Sequence, residues 1–519
     1  MNKIVSKFRH VRKTLFADRQ TKRFIQHNEK VWQGWNSGTC SSVVLVDFYS
    51  VSETLISYSY FVNVLARKHN ARIVSFSGRQ KIPNRVLHKV YRSFNTAGHM
   101  ITRLNGEQEE RAKTISREII PGLRTKQDIF GITVSDIWIG NDIYETYLRE
   151  YNKPTVFLDD PKLFEMVEEA IGLVIFWSDF FAKNKVAAVV VSHDVYISMD
   201  IVCKVAYHAK VPVYLPNVRG ISLVDKPFSI YTYFPDYRKM FESLPREEQE
   251  RGKALAKKQL ERRLAGEVGV DMPYAEKSAY TPVNGDNAVL KETEKIKVLI
   301  CTHCFYDNPH AYNTILFLDF YEWLHFLGRI SERTDYDWYL KMHPDPRPGT
   351  FETIQEILTK FPRITYIPHD TSHQQLVKDG INFVLTVYGT VGHEYPAFGV
   401  QVINAGYNPR IAYDFNWHPK TIEEYEHYLM NLHKLKKDIR LDEVYEFYYM
   451  HHYYTLADDL VLKSYNKALS DLSPEQRIGS EIYGYFLDQL NDEKHGEIIQ
   501  NMEKFIQSGK RNYFASGPE

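Results

Sequence analysis

The chain has 519 residues, with Lys+Arg and Asp+Glu both at 65, so its formal net charge is zero. That balance excludes bulk nucleic-acid binding, which needs a basic footprint, but leaves room for a small anion held by a few side chains. The length predicts two domains plus extensions; 44% hydrophobic and 25% charged residues describe an ordinary soluble chain, and four cysteines exclude a disulfide framework.

Residues 1–36 read as a basic helical extension. Lys3, Lys7, Arg9, Arg12, Lys13, Arg19, Lys22, Arg23 and Lys30 outnumber Asp18 and Glu29, while Ile4, Val5, Phe8, Val11, Leu15 and Phe16 recur at near-helical spacing. Two readings are open for residues 1–30: peripheral contact with an anionic membrane face, or a helix packed on the main body. No apolar segment with a cleavage site follows, so no signal peptide is expected. A cytoplasmic chain with reduced thiols is expected, cytosolic or at the inner face of the cytoplasmic membrane.

Residues 37–245 alternate strands and helices. "SSVVLVDFY", "ARIVSFSG", "TVFLDD" (155–160), "VAAVVVSHD" (186–194) and "VPVYLP" read as strands; "VSETLISYSYFVNVLARKHN" and "MDIVCKVAYHAK" read as helices. Continuous β-branched runs between helices predict a parallel sheet covered on both faces. "IGLVIFWSDFF", broken by Ser178 and Asp179, falls short of the about 20 apolar residues a membrane span needs. Residues 246–295 hold a charged helix and a turn-rich linker.

The alternation restarts over 296–420. It runs "KIKVLICTH", a long aromatic helix "AYNTILFLDFYEWLHFLGRI", "DWYLKMHP", "TFETIQEILTKF", "ITYIP", "SHQQLVKD", "INFVLTVYGT", "VGHEYPAFG", "VQVINAG". Residues 421–519 read as a helical tail, rich in Tyr and His, that packs back on the domains. Cys301 and Cys304 form a C-x-x-C without a second pair, so reduced thiols are expected rather than a zinc site. "DYD" at 335–337 reads as a solvated loop; no metal site is expected.

Ligands of such sheets bind at the carboxyl ends of strands, and the strand ends of 296–420 are polar. "CTHCFYDNPH" carries His303, Asp307 and His310. "KMHP" places His343 before Pro344, with Lys341 two residues back on the same strand face. An imidazole donates a hydrogen bond to phosphate oxygen, and the proline fixes the turn. In "TVYGTVGHE", Gly389 permits a tight turn and Thr390 reads as the N-cap of a helix. Its free N–H groups suit a phosphate, and Glu394 on the first turn reads as an acceptor for ribose hydroxyls.

Two α/β domains, a linker and a helical tail resemble the GT-B architecture, two Rossmann-like domains facing a cleft. "HP" followed by "GTVGHE" resembles the bacterial capsule and surface polysaccharide glycosyltransferases, a grouping that includes Kdo transferases and polysialyltransferases. Those members use CMP-activated acidic sugars, and their motifs hold the CMP moiety. The resemblance implies that His343 and Pro344 are the first motif and Gly389 and Thr390 the second, with Gly389 where the family usually has Ser. It also implies a nucleotide-sugar donor on the second domain, an acceptor on the first, and no cofactor or metal.

Sugar transfer needs a neutralised leaving phosphate and a carboxylate on the acceptor side. Lys341, His343, His303 and the Thr390 helix start are expected to neutralise the phosphate. First-domain strand ends offer Glu145, Asp159, Asp160 and Asp194, with His193 beside Asp194; Glu145 and Asp194 are favoured. The expected activity is a metal-independent glycosyltransferase with a CMP-Kdo or sialic-acid type donor and a carbohydrate or lipid-linked acceptor. A CDP-alditol phosphotransferase, a nucleotide-sugar 2-epimerase and a non-enzymatic assembly protein are the alternatives.

Overall fold

The computed structural model describes residues 15–35, 40–78, 84–270, 277–281, 288–343 and 346–455, and 460–513 apart from 463–464, 466–467, 469–470, 474–475 and 477. Pro344 therefore lies outside the described residues, as do the expected apolar positions Ile4, Val5, Phe8 and Val11. The chain forms two compact units. The first holds the described residues of Met1–Ile143, Asp160–Ile230 and Leu456–Gly517; the second holds Tyr144–Asp159 and Tyr231–Thr455.

The first unit is built on strands β1 (Ser42–Asp47), β2 (Ala71–Ser77) and β3 (Thr96–Ile101), a small antiparallel pair β4 (Thr133–Val134) and β5 (Ile137–Trp138), then β6 (Val186–Val190), β7 (Val213–Pro216) and β8 (Ile221–Val224). Its six-stranded sheet has the order β3-β2-β1-β6-β7-β8, parallel except for the β7–β8 pair. β1 is buried along its whole length, as expected of a central strand under helices on both faces. The edge strand β3 is half exposed, which is why no apolar run marks it.

The helix Arg19–Val31 packs in this unit, where Phe24 stacks on Tyr483 with ring centroids 4.2 Å apart. Residues 19–31 therefore follow the packed-helix reading. Among the described residues no helix is long and apolar enough to cross a membrane.

The expected strand at 155–160 is not formed. Pro154 and Pro161 flank it, each restricting its own φ and the residue before it. Asp160 caps the helix Pro161–Lys183 by accepting the Lys162 N–H at 3.1 Å.

The second unit holds β9 (Lys297–Cys301), β10 (Asp337–Lys341), β11 (Ile364–Ile367), β12 (Phe383–Thr386) and β13 (Gln401–Asn404), all parallel in the order β11-β10-β9-β12-β13. Its core includes Val298, Ile300, Leu340, Leu385 and Ile403 from the strands, against Trp323, Leu327 and Ile354 from the helices.

The long aromatic helix expected from 311 begins only at Phe320. Residues before it bend repeatedly, held by an isolated antiparallel bridge of Ile315 with Gly406 and by the Leu316 N–H, which donates to the Ala405 carbonyl at 3.1 Å. Asp319 then caps the helix by accepting the Glu322 N–H at 2.7 Å.

Helix Gly140–Tyr151 spans "IGNDIYE", so Glu145 is helical rather than at a strand end. Residues 144–159 and 231–245, read within the first domain from sequence, cluster with the second unit. The tail divides in the same way, 421–455 in the second unit and the described residues from 460 on in the first.

Candidate functional site

In the second unit the strand order reverses at β9, whose neighbours are β10 on one side and β12 on the other. Crevices at such a switch point, outside the carboxyl ends of the strands, are where open α/β sheets bind ligands. A cavity of about 390 Å³ opens there, within the range of small-molecule sites. His303 follows β9, Lys341 and His343 end β10, and Gly389, Thr390 and Glu394 follow β12; all six line the cavity. Six of the residues singled out from the sequence thus share one wall system.

Lys341 is buried and donates from Nζ to the His369 carbonyl at 2.6 Å. Burial lowers its pKa, offset in part by Cys301 and Asp370. His343, two residues on, is exposed and lines the cavity.

His303 differs from expectation. Burial, with the charges of His343 and Arg410, pushes its pKa down to about 3. Its Nε2 receives the Val387 N–H at 3.1 Å and lies 3.0 Å from the Thr386 hydroxyl. A neutral ring whose Nε2 is an acceptor carries its proton on Nδ1. It therefore brings no charge to a phosphate; it holds the end of β12.

The Thr390 N-cap is also revised. The helix after it is one turn, Val391–Glu394, and the Thr390 side chain makes no capping bond. Thr386 takes that part: its hydroxyl oxygen accepts the Gly389 N–H at 3.1 Å. One turn sums few peptide dipoles, so the expected positive helix end is weak. Within the turn the Gly392 N–H donates to the Gly389 carbonyl and those of His393 and Glu394 to the Thr390 carbonyl, which leaves the Thr390 and Val391 N–H groups at its head without a backbone acceptor among the described residues.

Glu394 is buried and faces the cavity, but both its oxygens are engaged. Arg263 Nε donates to Oε1 at 2.6 Å and Tyr280 Oη to Oε2 at 2.7 Å. Arg263, Lys277 and Tyr280 belong to the stretch read as charged helix and linker, yet they line the cavity. Three bonds stitch that stretch down. The His373 N–H donates to the Ala279 carbonyl at 2.9 Å, Ser372 Oγ to the Thr281 carbonyl at 2.6 Å and Gln374 Nε2 to the Leu264 carbonyl at 2.6 Å. Sequence pattern missed these residues because nothing periodic marks them; the one signal was Tyr280, a large aromatic in a turn-rich segment.

Asp307 does not line the cavity. It pairs with Arg149 at 2.6 Å and lies 3.8 Å from Arg347. Cys301 does line it, as a thiol pushed up to about 12 by burial. Asp335 sits before β10, at the end of the strand away from the cavity, where it pairs with Lys295. Among the described residues no cluster of three or more His, Cys, Asp or Glu is arranged to hold a metal.

The carboxylates expected on the acceptor side separate. Glu145 is 2% exposed, and its Oε1 lies 2.9 Å from His310 Nδ1 and accepts the His310 N–H at 3.3 Å. Enclosed in the second unit, it orients His310 and reaches no solvent-borne hydroxyl. Asp160 is a helix cap. Asp194 and His193 stand after β6, where the sheet order of the first unit reverses between β1 and β6. His193 packs its ring 5.4 Å from Tyr49.

Beside them lies a carboxylate the sequence reading did not single out. Asp47, at the end of β1, accepts Ser192 Oγ at 2.6 Å and the Ser192 N–H at 3.1 Å, and also the Tyr58 hydroxyl. Burial raises its pKa.

No protein-family model and no curated protein sequence matches this chain. Solved structures show similarity of topology. A β-Kdo 2,4 transferase, KpsC of Thermosulfurimonas dismutans, is 12% identical over 57% of this chain and 88% of its own, with a TM-score of 0.33. The UDP-GlcNAc 2-epimerase of Neisseria meningitidis is 12% identical over 83% and 98%, with a TM-score of 0.23. The wall teichoic acid polymerase TagF is 11% identical over 94% and 99%, with a TM-score of 0.20. Scores this low align the chains only loosely, so the functional reading rests on the cavity's own residues.

Proposed function

We propose that this protein is a glycosyltransferase that binds the phosphate of a nucleotide sugar in the cavity of its second unit. One observation carries the reading: a single cavity at the carboxyl ends of β9, β10 and β12 gathers Lys341, His343, the Gly389–Thr390 turn and Glu394. In it Lys341 supplies charge, the His343 imidazole donates a hydrogen bond to phosphate oxygen, and the turn offers backbone N–H groups. Glu394, ordered by Arg263 and Tyr280, is placed to accept from a ribose hydroxyl.

In the transfer step the anomeric carbon–oxygen bond to phosphate breaks and the electron pair leaves with the phosphate. The acceptor hydroxyl forms the new bond and yields its proton to a carboxylate. Asp194, with His193 beside it, is the acid we retain for that role, because Glu145 is enclosed and Asp160 caps a helix. The donor we favour is CMP-activated, with a carbohydrate or lipid-linked acceptor on the cytoplasmic side and no metal in the step.

Thermal melts of the full chain with CMP, CDP, UDP and GDP test this. A ligand at a hundredfold excess over Kd adds about 2.7 kcal/mol of stability. CMP raising the melt, with Lys341→Met and His343→Ala abolishing the shift, is the expected result. A shift with CDP alone favours the alditol phosphotransferase, and with UDP alone an epimerase or another sugar transferase. No shift with any of the four overturns the nucleotide reading.

A further inference from the structure

Beneath the cavity-lining turn lies a cation that the proposed chemistry does not yet use. Arg410 is 1% exposed, in the irregular segment after β13. Its Nη2 donates to Asn404 Oδ1 at 3.3 Å, and its Nε, fully buried, has no acceptor. Among the described residues no carboxylate is in salt-bridge contact with it. Its guanidinium carbon stands 5.8 Å from the centre of the Phe447 ring.

A buried, incompletely paired guanidinium is expensive. Replacing such a group by an apolar side chain commonly stabilises a fold, so packing alone does not explain it.

The position of Arg410 points to its use. A Cβ on Gly392 would come within 2.5 Å of Nε, 2.6 Å of Cζ and 2.9 Å of Nη2. The guanidinium is therefore pressed against the bare backbone of the turn that carries Gly389, Thr390 and Glu394. From the other side Asn416 Nδ2 donates to the Gly392 carbonyl at 2.7 Å, fixing that backbone in place.

Charge on the cavity wall has the matching sign. Arg263, Lys277 and Lys341 line it against Glu267 and Glu394, one positive charge in excess, and Arg410 makes two. The neighbouring His393 is buried and neutral, its pKa held well below the usual value by burial and by the cations around it. The field of Arg410 reaches the wall, since it helps depress His303 and works against the raised pKa of Tyr312.

We propose that Arg410 is the fixed counter-charge of the cavity: a positioning residue that, seated on the open face of Gly392, attracts and orients a phosphate-bearing ligand with two or more negative charges. It supplies the positive potential that a one-turn helix cannot. At low dielectric a charge behind one layer of backbone acts with little screening. Glycine is required at 392 because any side chain would occupy the place of the guanidinium.

The inference rests on the nucleotide reading of the cavity, and calorimetric titration of the full chain separates the two. The probes are inorganic pyrophosphate, CMP, CDP and cytidine, on wild type, Arg410→Gln and Arg410→Lys. Gln keeps an amide for Asn404 and loses the charge; Lys keeps the charge. Expected is an about tenfold to hundredfold weaker Kd for pyrophosphate in Arg410→Gln, partial recovery in Arg410→Lys, and unchanged cytidine affinity. Equal losses for cytidine and the phosphates, or wild-type pyrophosphate binding in a folded Arg410→Gln, overturn the inference and leave the nucleotide reading standing. Wild type that binds none of the four probes, and neither UDP nor GDP in the thermal melts, overturns both. Should Arg410→Gln fail to fold, Arg410→Lys decides: a weaker Kd for pyrophosphate with unchanged cytidine affinity is expected, and equal losses for the two probes, or no loss for either, contradict the proposal.

Discussion

Arg263 grips Glu394 with two nitrogens, Nε at 2.6 Å and Nη2 at 2.5 Å from the same carboxylate oxygen. The contact ties the end of the charged helix Arg246–Leu264 to the turn after β12, across a stretch that reads in sequence as a linker. It makes that stretch part of the cavity wall. The side chains are 14% and 2% exposed, so truncating one partner leaves the other charge buried. Arg263→Met is expected to cost about 3 kcal/mol, the low end for a broken buried pair, read as a lower urea midpoint. An unchanged midpoint would mean the pair contributes nothing.

Gly389 opens the turn after β12, and the structure supplies a reason for a glycine there. A Cβ there would lie 2.9 Å from Thr386 Oγ1 and 3.4 Å from His303 Cε1. Gly389→Ser is therefore expected to displace the Thr386 hydroxyl from the Gly389 N–H. The cost is about 1–3 kcal/mol, as for other overpacking changes, and nucleotide affinity should fall rather than rise. Tighter nucleotide binding by this variant would show that the turn has room for the hydroxyl.

How much of this was legible in the sequence follows physical lines. The central strands were readable because strands buried on both faces are continuous apolar runs, and the corners were readable because polar residues at strand ends break those runs. The edge strand β3 was not, because half-exposed residues carry no such signal. "TVFLDD" misled because a threonine, three apolar residues and two aspartates between two prolines resemble a strand locally, and only packing decides otherwise. Glu145 misled in a related way: its helix was taken for a strand end, and its burial against His310 arises from residues 165 positions apart. Arg263, Tyr280 and Arg410 join the cavity through tertiary contacts that no local pattern encodes.

The second unit buries neutral histidines. Burial pushes His303, His418 and His452 each down to about 3, and holds His373, His393 and His451 well below their usual value. These folded pKa values lie below the unfolded value of about 6.5, so unfolding takes up protons. The stability they represent is whole above about pH 6.5 and is lost as pH falls toward 3, by up to about 1.4 kcal/mol per pH unit for each histidine. Urea midpoints measured from pH 8 down to pH 5 should be flat at first and then fall more steeply than one proton allows. Midpoints that stay level to pH 5 would show that these rings titrate normally.

Asp194→Asn should leave the melting temperature and nucleotide affinity within error of wild type while removing sugar transfer. Glu145→Gln should instead lower stability by about 1–2 kcal/mol, because it weakens a buried bond to His310. The two readouts are the melting temperature and the turnover of donor to free nucleotide. A fully active Asp194→Asn removes Asp194 from the reaction.

A crystal structure grown with whichever nucleotide raises the melt is the most direct measurement. Phosphate oxygens should lie within about 3 Å of the His343 imidazole and the backbone N–H groups of Thr390 and Val391, with the ribose toward Glu394. A nucleotide bound at the ends of β1 and β6, or a cavity left empty at saturating ligand, would contradict the assignment of this site.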